Sequence, residues 1–232
     1  MPLLERIEGQ VDAFRNVKNA ELVNTPAVMV CVLPSAFKHV QELTMENAGR
    51  LEANEELIAV IERKRREEEE RRAVTEAAKN QLTLSSSSQL GNLNETVGVL
   101  VVANHFNSWS SAVFDLSTLR YLKTLIVGDE CFNSVTDVKI IGLKYLESVT
   151  VGNNSFRNSS RYSTRHFSLK DCPKLKSLWI GAWSFSEFNT CEIENVDSLE
   201  VLQIGTNERH SNNFYYTGVL ELKSAFCSLC LP

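Results

Sequence analysis

The stretch Tyr145–Phe156, YLESVTVGNNSF, appears twice more in closely similar form: as YLKTLIVGDECF over Tyr121–Phe132 and as KLKSLWIGAWSF over Lys174–Phe185. The leading leucines Leu122, Leu146, Leu175 and Leu199 are separated by 24, 29 and 24 residues. The longer interval contains NSSRYSTRH, Asn158–His166, which reads as a polar loop extension. A weaker copy, GVLVVA at Gly98–Ala103, begins 24 residues before LKTLIV. Self-similarity at a fixed period is the signature of a repeat architecture.

Each unit carries two short strand-like triplets. The first is Leu125-x-Val127, Val149-x-Val151, Leu178-x-Ile180 and Leu202-x-Ile204. The second is Phe114-x-Leu116, Val138-x-Ile140, Phe167-x-Leu169 and Cys191-x-Ile193. Strand side chains alternate between faces, so the outer members of a triplet share one face and the middle residue takes the other. Between the triplets stand Gly128, Gly152 and Gly181, each followed four positions later by a phenylalanine: Phe132, Phe156 and Phe185. Glycine can turn the chain there, and the ring can fold inside, each buried one contributing about 1.5–3 kcal/mol. A single unit is too small to hide its own apolar edge. Neighbouring units therefore stack in parallel, about 4.8 Å apart, and hold one another by nearest-neighbour contacts. The middle residues of the first triplet, Val102, Ile126, Thr150, Trp179 and Gln203, then point outward in a row, and Trp183 in the next turn extends it. Lys123, Glu147, Lys176 and Glu200 alternate in sign one strand step earlier.

These phrases resemble the leucine-rich repeats, in particular the BspA-like type, in which a leucine ladder precedes an isoleucine-glycine-x-x-small-phenylalanine element. LKSLWIGAWSF is similar to that element throughout, and LESVTVGNNSF nearly so. The resemblance covers about residues 97–231. It implies a parallel β solenoid whose outward strand row forms a concave surface for a protein partner. The unit is longer than the family's usual one. The fourth copy, LQIGTNERHSNNF, places Arg209 where a phenylalanine is expected. The chain closes with FCSLCLP, so the expected solenoid of about five units, 97–232, is incomplete at its C-terminal end, with an exposed edge strand open to pairing.

Residues 1–80 read differently. Leu4, Ile7, Val11 and Phe14 have helical spacing, Pro26 and Pro34 bracket the apolar run AVMVCVL, and 35–81 contains no proline. Phe37, Val40, Leu43, Leu51, Leu57, Ile58 and Ile61 form a broken helical stripe, followed by ERKRREEEERR over Glu62–Arg72. That run has six basic and five acidic residues and many opposite charges at i,i+4. A helix charged all round cannot pack a core. The expectation is a helical region at 1–80 with a long solvated helix, or a coiled coil using the earlier stripe. A Ser-rich linker, QLTLSSSSQLGNLNE, follows over 81–96. The expected fold class is α+β.

Composition narrows the function classes. With a net charge of -5 and 43% hydrophobic residues, the chain can bury a core and has no basic surface to suggest a nucleic-acid partner. The start MPLLERIEGQ lacks the pattern of a secretory signal, and no apolar run approaches the roughly 20 residues that span a bilayer. A cytoplasmic location with reduced cysteines is the expectation.

No spacing points to catalysis. Cys227-Ser-Leu-Cys230 is a lone C-x-x-C without the four ligands zinc needs. The histidines at 39, 105, 166 and 210 show no paired spacing. Asp115, Asp129, Glu130 and Asp137 could converge as carboxylates do in polysaccharide-cleaving enzymes. The readings carried forward are a non-enzymatic protein-binding scaffold without metal or cofactor, a self-associating helical protein with a passive solenoid end, and a carbohydrate-active β-helix. Self-association is expected through the helical region or the C-terminal edge strand.

Overall fold

The structure is a computed structural model that describes residues 6–9, 19–23, 29–32, 42–46, 51–52, 55–157, 164–206 and 211–223. Two compact units divide the chain between Arg71 and Arg72.

In the first unit the chain forms strands β1 (Arg6–Gly9), β2 (Asn19–Val23), β3 (Met29–Val32), β4 (Glu42–Glu46) and β5 (Leu51–Glu52), and helix α1 (Glu55–Ala77) begins there and ends in the second unit. β1, β3 and β5 pair in parallel, and so do β2 and β4. Within the stretches expected as helical, the described residues 6–9, 19–23, 42–46 and 51–52 are strands and Glu55–Ala77 is helix, while 10–18, 33–41, 47–50 and 53–54 lie outside the described residues. A few apolar residues at mixed spacing fit two periods. The parallel partner further along the chain (Met29 for Arg6, Glu42 for Asn19) decides for strand. Leu43 and Leu51 of the supposed coiled-coil stripe sit on strands, while Phe37 and Val40 lie outside the described residues. The charged run is helical as expected. It carries the ion pairs Arg63–Glu67 (3.7 Å), Arg65–Glu69 (3.6 Å), Arg66–Glu62 (3.3 Å) and Arg71–Glu68 (3.4 Å), all exposed.

The second unit is built from eleven further strands: β6 (Gln81–Leu84), β7 (Val99–Val102), β8 (Val113–Asp115), β9 (Thr124–Val127), β10 (Asp137–Ile141), β11 (Ser148–Val151), β12 (His166–Lys170), β13 (Ser177–Ile180), β14 (Thr190–Glu194), β15 (Val201–Ile204) and β16 (Val219–Lys223). They alternate between two sheets. The first runs β6-β7-β9-β11-β13-β15 and the second β8-β10-β12-β14-β16, with every pairing parallel. Parallel strands in two sheets with few helices are compatible with a parallel β solenoid.

One apolar core lies between the sheets. Leu122, Leu146 and Leu175 are buried at successive levels and Leu199 packs against the same cluster. Phe106, Phe132, Phe156, Phe185 and Phe214 form a column, with ring centroids 5.7, 5.0, 4.7 and 5.2 Å apart. Phe214, not position 209, supplies the fifth ring. Thr190 pairs with Val219, so this turn is as long as the extended interval from Leu146 to Leu175, and the ring arrives later than the shorter repeat implies.

The glycines act by allowing close approach. A Cβ on Gly181 would meet the backbone of Gly152, and one on Gly152 the backbone of Gly128. The left-handed backbone falls instead on Glu130 and Phe132, Asn154 and Phe156, and Trp183 and Phe185, with φ between +55 and +65°. Such residues each cost about 1–3 kcal/mol. In return, the corner bonds both neighbouring levels: Phe132 N–H donates to Phe106 O (3.0 Å) and Glu130 N–H to Asn153 O (2.8 Å).

The linker expected over 81–96 is also corrected. Gln81–Leu84 is the first strand of the stack, paired with Val99–Val102, and Leu84 is fully buried. The serines introduce a 3-10 turn, Ser87–Asn92, at whose start Gln89 Oε1 accepts the N–H groups of Ser85 (2.6 Å) and Ser86 (3.0 Å). Leu90 and Leu93 from this segment pack on the core.

Candidate functional site

The outward row of the first sheet consists of Thr83, Val101, Ile126, Thr150, Trp179 and Gln203, one residue per strand and in register. Of the expected residues, Ile126, Thr150, Trp179 and Gln203 stand together here. Val102 does not. It is buried in column with Val127, and its neighbour Val101 takes the outward place. Val99 pairs with Thr124, an offset one longer than that between Thr124 and Ser148, and one residue of slip exchanges the two faces of a strand.

Trp179 keeps 43% of its surface exposed and Ile126 39%, in a row otherwise of hydroxyl, amide and smaller apolar side chains. The adjacent outward row is Gln81, Val99, Thr124, Ser148, Ser177 and Val201. Neither row contains a charge. Charge begins at the strand starts, where Lys123 and Glu147 approach to 3.7 Å. Trp183 is half-buried at the corner after β13, and the Arg157 guanidinium lies over its ring at 5.2 Å. That cation–π contact extends the patch with a positive rim. The two residues are 26 apart in a turn whose paired positions are 29 apart, so the period alone does not indicate the contact.

The outward face of the second sheet is unlike the first. Asp115, Lys139, Ser168, Glu192 and Glu221 form one row, and Ile141, Lys170, Glu194 and Lys223 another. Lys170 Nζ meets Glu192 at 2.9 Å and Glu194 at 3.5 Å, and Ser168 Oγ donates to Glu192 at 3.1 Å. The hydrogen bond from Lys170 holds the Glu192 carboxyl below its usual range, and the same contact raises Lys170.

The chemical candidates of the second unit are dispersed or engaged. Asp115 Oδ1 accepts Ser117 N–H (2.8 Å), Asp129 Oδ1 accepts Asn153 N–H (2.6 Å), Glu130 pairs with His105 (3.2 Å) and Asp137 with Lys139 (3.1 Å). Asp115 and Asp137 lie on the second sheet, whereas Asp129 and Glu130 lie at the corner after β9, so the four do not converge. Among the described residues no group of three or more His, Cys, Asp or Glu is placed to hold a metal. Burial pushes the Cys172 thiol up to about 11 and the Cys191 thiol up to about 12, and raises Cys131 as well. Such thiols stay protonated and unreactive. Cys227 and Cys230 lie outside the described residues.

Two features escaped the sequence reading. Asn104, Asp129 and Asn153 form a corner ladder in which each side-chain oxygen accepts the N–H of the next level: Asp129 (2.9 Å), Asn153 (2.6 Å) and Ala182 (2.9 Å). Tyr121 and Tyr145 pack as tilted rings with centroids 6.0 Å apart, and Lys174 continues the column 4.8 Å from the Tyr145 ring. Both were available in the repeated phrase, at the positions after glycine and before leucine. A groove of about 620 Å³ beside Tyr121 is lined by Glu76, Lys79, Asn80 and Thr96 among others. Its polar groups are already paired with each other, Lys79 with Glu76 (3.0 Å) and Asn80 Nδ2 with Thr96 (3.0 Å).

No family model, no curated protein and no solved structure matches the chain. Among the described residues no helix is long and apolar enough to cross a membrane.

Proposed function

We propose that the chain is a non-enzymatic scaffold of the leucine-rich-repeat kind, BspA-like in its repeat phrase, that binds a protein partner through the uncharged outward face of its first sheet. The observation that supports it is the exposure of Trp179 and Ile126 in the middle of a face without charge, while the opposite face is laddered by ion pairs. A large aromatic ring surrounded by groups that are easily desolvated is the composition of an interface centre. Residues Val101, Ile126, Thr150, Trp179 and Gln203 would form the contact, with Trp183 and Arg157 at its rim. A net charge of -5 favours a protein over a nucleic acid as partner, and the cytoplasm is the proposed location.

Quantitative proximity labelling with three chains tests the proposal: unchanged, Trp179→Asp, and Lys139→Glu on the opposite face. A set of proteins lost with Trp179→Asp and kept with Lys139→Glu is the expected result, with unchanged circular dichroism for all three. An identical labelled set for the Trp179 variant would exclude this face.

A further inference from the structure

Among the described residues the two sheets end at β15 and β16, and there the core column comes to the surface. Leu202 and Ile204 are each 42% exposed, Leu220 63% and Leu222 59%. Their partners one level earlier, Leu178, Ile180, Cys191 and Ile193, are buried. β16 also has an outer hydrogen-bonding edge. Val219 N–H donates to Asn189 O (3.2 Å) and Lys223 O accepts from Asn195 N–H (2.9 Å), so residues 219, 221 and 223 direct their backbone groups toward β14. Alternation leaves the N–H and C=O of Leu220 and Leu222 on the outer edge.

We propose that this end is an interface between two copies of the chain, joined head to head by antiparallel pairing of β16 with β16 about Leu222. Charge selects both the occupant and the register. A two-fold axis at Leu222 makes Leu222–Leu222 a hydrogen-bonded pair. It sets Glu221 of each copy against Lys223 of the other, in the non-hydrogen-bonded positions where opposed side chains are closest. An axis at Glu221 would oppose two carboxylates, and like charges directly opposite are destabilising. Within one copy, Lys223 Nζ already reaches Glu221 at 2.6 Å, so pairing across the axis exchanges one ion pair for another. The two Leu222 side chains meet where the cores join, and the second copy presents two strand edges with the same separation as this end. The interface is independent of the first sheet's outward face.

Sedimentation equilibrium on the 232-residue chain tests this. The expected species, on the order of 50 µM protein, has twice the chain mass. Glu221→Lys or Lys223→Glu alone should raise the dimer dissociation constant about tenfold or more, since each puts like charges opposite at two sites. The double variant E221K/K223E should restore the dimer. Leu222→Asp should yield a monomer with unchanged circular dichroism, and Trp179→Asp should leave the dimer intact. A monomeric unmodified chain would overturn the proposal, as would a double variant as weak as the singles. If a dimer appears only after deletion of residues 224–232, that segment covers the end and the proposal fails.

Discussion

The second unit has two outward faces made from the same kind of strand, and they differ in what their side chains do for one another. On the second sheet Asp137, Lys139, Lys170 and Glu192 are engaged in ion pairs along or across strands, so water and neighbours satisfy that face. On the first sheet the corresponding positions are Thr, Val, Ile, Ser, Trp and Gln, which gain little from one another across a parallel ladder. A shared core imposes no such difference, because both faces point away from it. The proposed function assigns binding to the uncharged face and solubility to the charged one.

The largest effect should come from the core on which both faces hang. Phe156 is buried and stacked between Phe132 and Phe185. Phe156→Ala should cost about 3–5 kcal/mol, read as a lowered denaturation midpoint. A loss below about 1 kcal/mol would show that the levels do not support each other through this column. Trp179→Asp should then separate binding from folding. It should remove about 2 kcal/mol or more of partner affinity while the denaturation midpoint moves little, because the ring stands on the outward face, away from the core.

The buried thiols give a pH test of the same core. Folded Cys172 and Cys191 titrate near 11 and 12, above the ordinary value of 9.0. A raised folded pKa contributes stability below the unfolded pKa and loses it as pH rises through the folded one. Stability should therefore be insensitive to these groups below pH 9 and fall between about pH 9 and 12, by up to about 1.4 kcal/mol per pH unit per thiol. Chemical denaturation across that range checks it, and a flat profile would mean the thiols reach solvent. The smallest effect belongs to the charged face: Lys170→Ala should cost about 0.2–1 kcal/mol, let the Glu192 carboxyl titrate higher, and leave partner binding unchanged.

Much of the second unit could be read from the sequence because its determinants repeat. The leucines, the glycine before each corner and Phe132, Phe156 and Phe185 recur together, at the same 24- and 29-residue steps, and burial follows from recurrence. The reading failed where spacing changed. The extra residue between Val99 and Thr124 exchanged Val101 for Val102, and the longer last turn hid Phe214 behind Arg209. Gln81–Leu84 was hidden by the serines after it, whose turn-forming chemistry resembles that of a linker. In the first unit, strands of two to five residues carry too few side chains to declare a period without their parallel partners. The candidate face was partly legible, since Trp179 and Ile126 were identified from strand alternation. Arg157 over Trp183 depends on a contact across a full turn and was not.

The most direct test is the distance between genetically encoded spin labels at Thr83 and Gln203, the two ends of the outward row. Five parallel steps of about 4.8 Å predict a single narrow distribution near 24 Å, widened only by the labels. A broad distribution, or one centred beyond about 35 Å, would contradict a continuous row of stacked strands and the binding face built on it.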